Sequence, residues 1–175
     1  MPEKRKDLGQ NPIRIRKATE ADVPFIFSSW LKSVRNSGYS YGVPNAVFFS
    51  EHHKVIERLL KTCDVYVACS ETDVADIYGY ICAEKVDGLL VIHFVYVKHT
   101  YRRLGIGAML LNTLEHNPTS AALYTHMTKT GKLLEAKYNL VYSPYIALTP
   151  DYRENVEVSK IDHAKVEELE KKETP

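Results

Sequence analysis

Residues 89–97 read LLVIHFVYV, nine positions with His93 as the one strongly polar side chain. A run this apolar and this rich in β-branched residues suits a strand covered on both faces, hence a central strand. It is too short to cross a bilayer, which needs about 20 residues. Both of its ends constrain the fold further. Asp87-Gly88 stands before it, a pair suited to a two-residue hairpin in which both residues take positive φ. The stretch 77–86, IYGYICAEKV, is therefore its expected antiparallel neighbour. After it comes KHTYRRLGIGAML, residues 98–110, a basic, glycine-bearing hinge that runs into a helix. A hairpin followed by strand, turn and helix predicts an α/β domain with a mixed sheet.

The remaining chain fits this frame. IRIRKA (13–18) alternates as a strand, and Thr19 three residues before Asp22 resembles a capping box. Val23, Ile26, Phe27, Trp30, Leu31 and Val34 recur at helical spacing. NSGYSYGVPN (36–45) breaks that helix, and Ser50 is the expected cap of the next, with Val55, Ile56, Leu59 and Leu60 buried. DVYVAC (64–69) and AALYTHM (121–127) are expected strands. The segment 128–139 reads as a helix with Asn139 in a left-handed cap, and 140–148 as a last strand with Pro144 at an edge or bulge. The expected order is β-α-α-β-β-β-α-β-α-β, with residues 1–12 an N-terminal extension, 13–149 the domain and 150–175 a charged tail, part helical at DHAKVEELEKK.

Composition narrows the functions. Hydrophobic residues at 45% and charged residues at 26% are an ordinary globular balance, and a net charge of +1 gives no bulk attraction to nucleic acid or membrane. The basic N-terminus has no apolar core behind it, so no secretory signal is expected. Cys63, Cys69 and Cys82 are odd in number and lack metal-ligand spacing, which argues against disulfides and a metal site and for a reducing, cytoplasmic setting.

The hinge has the chemistry of a phosphate seat. A helix start offers unpaired N–H groups and a partial positive charge. Gly105 and Gly107 keep side chains off that backbone, and Lys98, Arg102 and Arg103 add charge. A GxxxxGK[ST] loop is absent, and Leu110 breaks a GxGxxG pattern. What remains is RxxGxG, at Arg102, Gly105 and Gly107. In this setting VYVKHTYRRLGIGAMLL resembles the acetyl-CoA motif of the GNAT superfamily of N-acetyltransferases, with His99 in place of the common proline. The resemblance covers roughly residues 13–148 and is weakest at 36–62.

The resemblance implies the GNAT fold: a mixed, mostly antiparallel sheet with a V-shaped splay, flanked by about four helices. It implies acetyl-CoA as co-substrate, with Val95 and Val97 pairing with the pantetheine arm and a backbone N–H near Val95 polarising the thioester. The pyrophosphate would rest on the amides of Arg103, Leu104, Gly105, Ile106, Gly107 and Ala108, and no metal is required. By period-two counting His93 shares a face with Val95 and Val97, which suits a general base. The family's usual tyrosine acid falls on Glu135 in LEAKYNL, and Tyr138 lies three residues on, on nearly the same helical face. Trp30, Tyr39 and Tyr41 are candidate acceptor-binding aromatics.

The acceptor would be a small-molecule or peptide amine, attacked directly in a ternary complex by a monomer or homodimer with no membrane role. Two other readings stay open. FSSWLKSVRNSG and FFSEHHKVIERLL are similar to segments of phage-encoded members, some of which modify nucleobases, and Lys32, Arg35, Lys54, Arg58 and Lys61 could face nucleic-acid phosphates. The departure at Glu135 also suits a non-catalytic acyl-CoA-binding domain.

Overall fold

The computed structural model describes residues 12–117 and 119–148. The expected charged tail and all but Pro12 of the N-terminal extension lie outside the described residues. Six strands form one sheet in chain order: β1 (Ile13–Lys17), β2 (Asp64–Ser70), β3 (Ile77–Val86), β4 (Leu89–Val97), β5 (Ala122–Tyr124) and β6 (Leu140–Tyr142). The first four are antiparallel, whereas β5 pairs with β4 and β6 with β5 in parallel. Helices α1 (Val23–Arg35) and α2 (Asn45–Thr62) follow β1, α3 (Ile106–Asn112) links β4 to β5, and α4 (Lys129–Tyr138) links β5 to β6. A single turn, α5 (Tyr145–Leu148), ends the described chain. This is the expected mixed α/β sheet flanked by helices.

Strand alternation sorts the core into two layers. Ile26, Trp30 and Val34 of α1 pack with Phe48, Ile56 and Leu59 of α2 against Val67, Tyr80, Cys82 and Phe94 on one face. Ile106, Leu110 and Leu111 of α3 pack against Tyr78, Ile81, Ala83 and Ile92 on the other. The β3–β4 hairpin turns on Asp87 (φ 50) and Gly88 (φ 80), and Asn139 (φ 49) caps α4, as the sequence predicts. The Asp22 carboxylate accepts from the Thr19 N–H (2.7 Å) and hydroxyl (3.0 Å) and holds Arg16 of β1 at 2.6 Å. One buried carboxylate thus closes the short 3-10 turn that leads into α1 and ties it to the sheet.

Three expected boundaries shift. α2 begins at Asn45, because Pro44 (φ −55) needs no N–H and its carbonyl accepts the first bond, from Phe48 at 2.9 Å. Ser50 therefore lies inside the helix, not at its cap. The strand expected over 121–127 shortens to Ala122–Tyr124, since β5 leaves β4 there. The strand expected over 140–148 stops at Tyr142, and Pro144 opens α5 by accepting from Ala147 at 3.1 Å.

One register feature governs the rest. Cys82 pairs with Phe94 but Ala83 pairs with Ile92, so His93 is an extra residue bulged out of the ladder. The bulge inverts the parity of β4. Val95 and Val97 face the α3 layer with Ile92, while His93 turns toward Glu84 and the α2 end of the sheet. The expected shared face of His93, Val95 and Val97 is thereby corrected.

Candidate active site

The site is made by two strands that part. β4 and β5 pair at two positions, Val91↔Leu123 and Ile92↔Tyr124, and Thr125 N–H then reaches the Ile92 carbonyl at 3.1 Å. β4 continues to Val97 with no partner from β5. Its other edge stays bonded to β3, where Lys98 N–H donates to the Tyr78 carbonyl at 2.8 Å. Antiparallel strands alternate between bonded and non-bonded pairs. Residues 94, 96 and 98 therefore spend their backbone groups on β3, and Val95 and Val97 present theirs to the gap. Arg102 Nε donates to the Val97 carbonyl from that side at 3.1 Å.

The gap opens into a cavity of about 940 Å³. Val95, Val97, Arg102, Arg103, Gly105, Ile106, Gly107 and Ala108 line it, so eight of the nine residues expected for the coenzyme converge. The ninth, Leu104, is exposed and outside the lining. Arg103 (φ 68) and Gly105 (φ 81) are both left-handed, which curls the loop before α3. Ile106 is fully buried and anchors it. Met109 N–H makes the first intrahelical bond, to Gly105 at 3.0 Å, so the amides of Ile106, Gly107 and Ala108 have no acceptor within the helix.

The expected catalytic residues separate. Tyr138 lines the cavity, half-buried on α4. Glu135 does not. Its Oε1 accepts from the Tyr124 hydroxyl at 2.5 Å, and burial together with this carboxylate pushes the Tyr124 phenol up. His93 is 1% exposed, with Nδ1 on Thr125 Oγ1 (3.1 Å) and Nε2 on Glu84 Oε1 (3.0 Å). It is absent from the cavity wall, and its ring nitrogens face Thr125 and Glu84 instead of the cleft. Trp30 is corrected as well: it is 0% exposed and stacks on Phe94 at 4.6 Å, as core. Tyr39 and Tyr41 are exposed in the loop between α1 and α2, and neither lines the cleft.

The wall that sequence reasoning missed is polar. Ser29, Lys32 and Ser33 of α1 and Asn36 at its C-terminal cap line the cavity, as do Thr128 and Lys129 at the start of α4. The α1 set was readable as the polar stripe beside Ile26, Trp30 and Val34. Of the basic residues considered for nucleic acid, four are engaged within the chain. Lys54 and Lys61 pair with Glu51 and Glu57, Arg35 bonds the Ser40 carbonyl, and Arg58 bonds the Ala147 carbonyl. No helix among the described residues is long and apolar enough to cross a membrane.

Beneath the cleft Trp30, His52 and Phe94 surround His126. Burial pushes the His126 imidazole down to about 3, with the neighbouring His52 and His93 acting in the same sense. A folded-state value below the ordinary 6.5 means that the unfolded chain takes the proton first. Stability is therefore full above pH 6.5 and is lost as pH falls. The unfolding free energy is expected to drop by roughly 2 kcal/mol between pH 6.5 and about pH 4, discounted for the ring's remaining contact with solvent. Urea titrations across that range check it, and a flat profile to pH 5 contradicts it.

A sequence model of the acetyltransferase (GNAT) family matches residues 33–128, which include β4, the hinge and α3. The chain belongs to the GNAT acetyltransferase family. The family's co-substrate is acetyl-CoA. Among solved structures, a protein of Clostridium acetobutylicum assigned as an acetyltransferase and solved with acetyl-CoA is 18% identical, with 75% of this chain and 92% of that chain covered and a TM-score of 0.52. A Pyrococcus furiosus protein assigned as an acetyltransferase is 20% identical, with 75% and 82% covered and a TM-score of 0.49. The first likeness supports the fold. No curated protein matches the sequence significantly.

Proposed function

We propose that this GNAT protein is an N-acetyltransferase that moves the acetyl group of acetyl-CoA to a primary amine by direct attack in a ternary complex. The observation that carries the reading is the outward backbone of Val95 and Val97 beside the glycine hinge, in one cavity with Tyr138. The diphosphate rests on the amides from Gly105 to Ala108, with Arg103 beside them. Arg102 first has to release the Val97 carbonyl. The pantetheine arm then completes the open edge of β4 as a strand would.

The Val95 N–H points at the thioester carbonyl, where negative charge grows as the amine attacks. The tetrahedral adduct collapses, the C–S bond breaks, and the sulfur leaves as thiolate. Tyr138 donates the proton that turns this thiolate into free CoA, and water takes the proton lost by the amine. The acceptor, a small-molecule or peptide amine, enters past Ser29, Ser33 and Asn36. The domain is residues 13–149.

Release of free CoA across a panel of amines tests the reading. Turnover is expected with at least one amine, and Tyr138→Phe is expected to lower kcat on the order of 100-fold while acetyl-CoA binding is retained. Binding with no turnover on any amine would make this an acyl-CoA-binding domain instead. An unchanged kcat in Tyr138→Phe would remove the tyrosine from the mechanism.

A further inference from the structure

A second group of reactive side chains lies away from the cleft. Cys63 just past the end of α2, Glu84 on β3 and His93 on β4 each contribute one ligand atom to a cluster in which the three atoms lie within 4.8 Å of one another. The bulge that turns His93 out of the Val95–Val97 face is what delivers its ring here. The group borders a separate cavity of about 550 Å³, whose wall includes Cys63, Glu84, Asp64 and Thr113. This cavity shares no lining residue with the coenzyme cleft.

We propose that Cys63 Sγ, Glu84 Oε1 and His93 Nε2 form a site for a divalent ion of the zinc class, with a fourth position open to this cavity. The donor set is the first reason. One thiolate, one imidazole and one carboxylate suit a borderline-soft ion and not magnesium or calcium, which want oxygen alone. Spacing is the second. Tetrahedral zinc holds its ligand atoms about 3.5 Å apart, given bonds of about 2.0–2.3 Å, so the present group needs small movements. His93 Nε2 and Glu84 Oε1 are already 3.0 Å apart.

The surroundings supply the third reason. A histidine ligand is normally oriented by a hydrogen bond from its other ring nitrogen, and His93 Nδ1 meets Thr125 Oγ1 at 3.1 Å. When the ion is bound, Nδ1 carries the proton and donates to Thr125, and Nε2 offers its lone pair to the metal. The Glu84 side chain is 12% exposed and that of His93 0%, so the ion would be largely desolvated and held rigidly. The open fourth position takes water.

The test uses the reduced full-length chain with Co²⁺ and Zn²⁺ as probes. One equivalent of Co²⁺ is expected to bind and to give a near-ultraviolet sulfur-to-cobalt band together with the visible bands of four-coordinate cobalt. Zn²⁺ is expected to displace it and to raise the melting temperature, reversibly with a chelator. Cys63→Ser should abolish the sulfur band and weaken Zn²⁺ binding on the order of 100-fold, and Glu84→Gln should weaken it without removing the band. Cys69→Ser, at a buried thiol outside the group, should change neither. Should Cys63→Ser fail to fold, Glu84→Gln decides by its Zn²⁺ affinity. No uptake at micromolar metal, a sulfur band that survives Cys63→Ser, or Zn²⁺ affinity unchanged in Glu84→Gln overturns the site. Acetyl-CoA titrations on the same samples report on the cleft separately.

Discussion

Gly107→Glu is expected to abolish acetyl-CoA binding while the protein stays folded. Gly107 lies in the first turn of α3, on the cavity wall, and a Cβ built there meets no atom within 4 Å. A side chain is therefore free to extend into the cleft, where a carboxylate meets the coenzyme's diphosphate. Two like charges about 4 Å apart near a protein surface repel by about 4 kcal/mol, close to 1,000-fold in affinity, before any steric exclusion. The same carboxylate suits a helix start, and glutamate is a better helix former than glycine by about 0.5 kcal/mol. Stability is thus expected to hold or rise slightly. Gly107→Ala is the control, and it should bind. Calorimetry with acetyl-CoA, paired with a thermal melt, reads both quantities. Micromolar binding retained by the glutamate variant would remove the diphosphate from this loop.

Gly79→Ala is expected to be strongly destabilising. Gly79 faces Val97 across β3 and β4. A Cβ there would press well inside contact with the Tyr96 carbonyl oxygen and stand 3.2 Å from Val97 Cα. These are backbone atoms, so no rotamer change relieves the clash and β4 itself has to move. A loss of about 3 kcal/mol is expected in urea titrations. The displaced segment is the one whose outward edge holds the pantetheine arm in the proposed function, so acetyl-CoA affinity should fall with stability. A variant that melts like the parent would show that the strands can separate here without strain.

Short-range chemistry made much of this fold legible. Asp87-Gly88 fixed its hairpin because only a few residue pairs accept two positive φ values, and the hinge announced itself through Gly105 and Gly107 beside Arg102 and Arg103. Strand alternation separated the Tyr80 face from the Ile81 face. What stayed hidden depends on partners distant in the chain. The bulge at His93 exists only as a mismatch between β3 and β4, and nothing in LLVIHFVYV marks it. One extra residue was enough to send the most conspicuous candidate base to the wrong side of the sheet. Glu135 likewise reads as a free helix carboxylate until Tyr124, eleven positions earlier, is folded against it. Cys63, Glu84 and His93 come from three elements, so their spacing carries no motif.

The two-position seam between β4 and β5 has a mechanical consequence. The antiparallel meander of β1 to β4 is laced together along whole strands, whereas β5 and β6 join it by a short parallel ladder and are held mainly by side chains: Ala122 and Tyr124 in the core, Thr125 on His93, and His126 among Trp30, His52 and Phe94. The place of the C-terminal strands therefore depends on packing more than on backbone pairing. In the proposed function, a coenzyme that touches both Val95 and Tyr138 bridges this seam and adds a bond across it that the backbone ladder lacks.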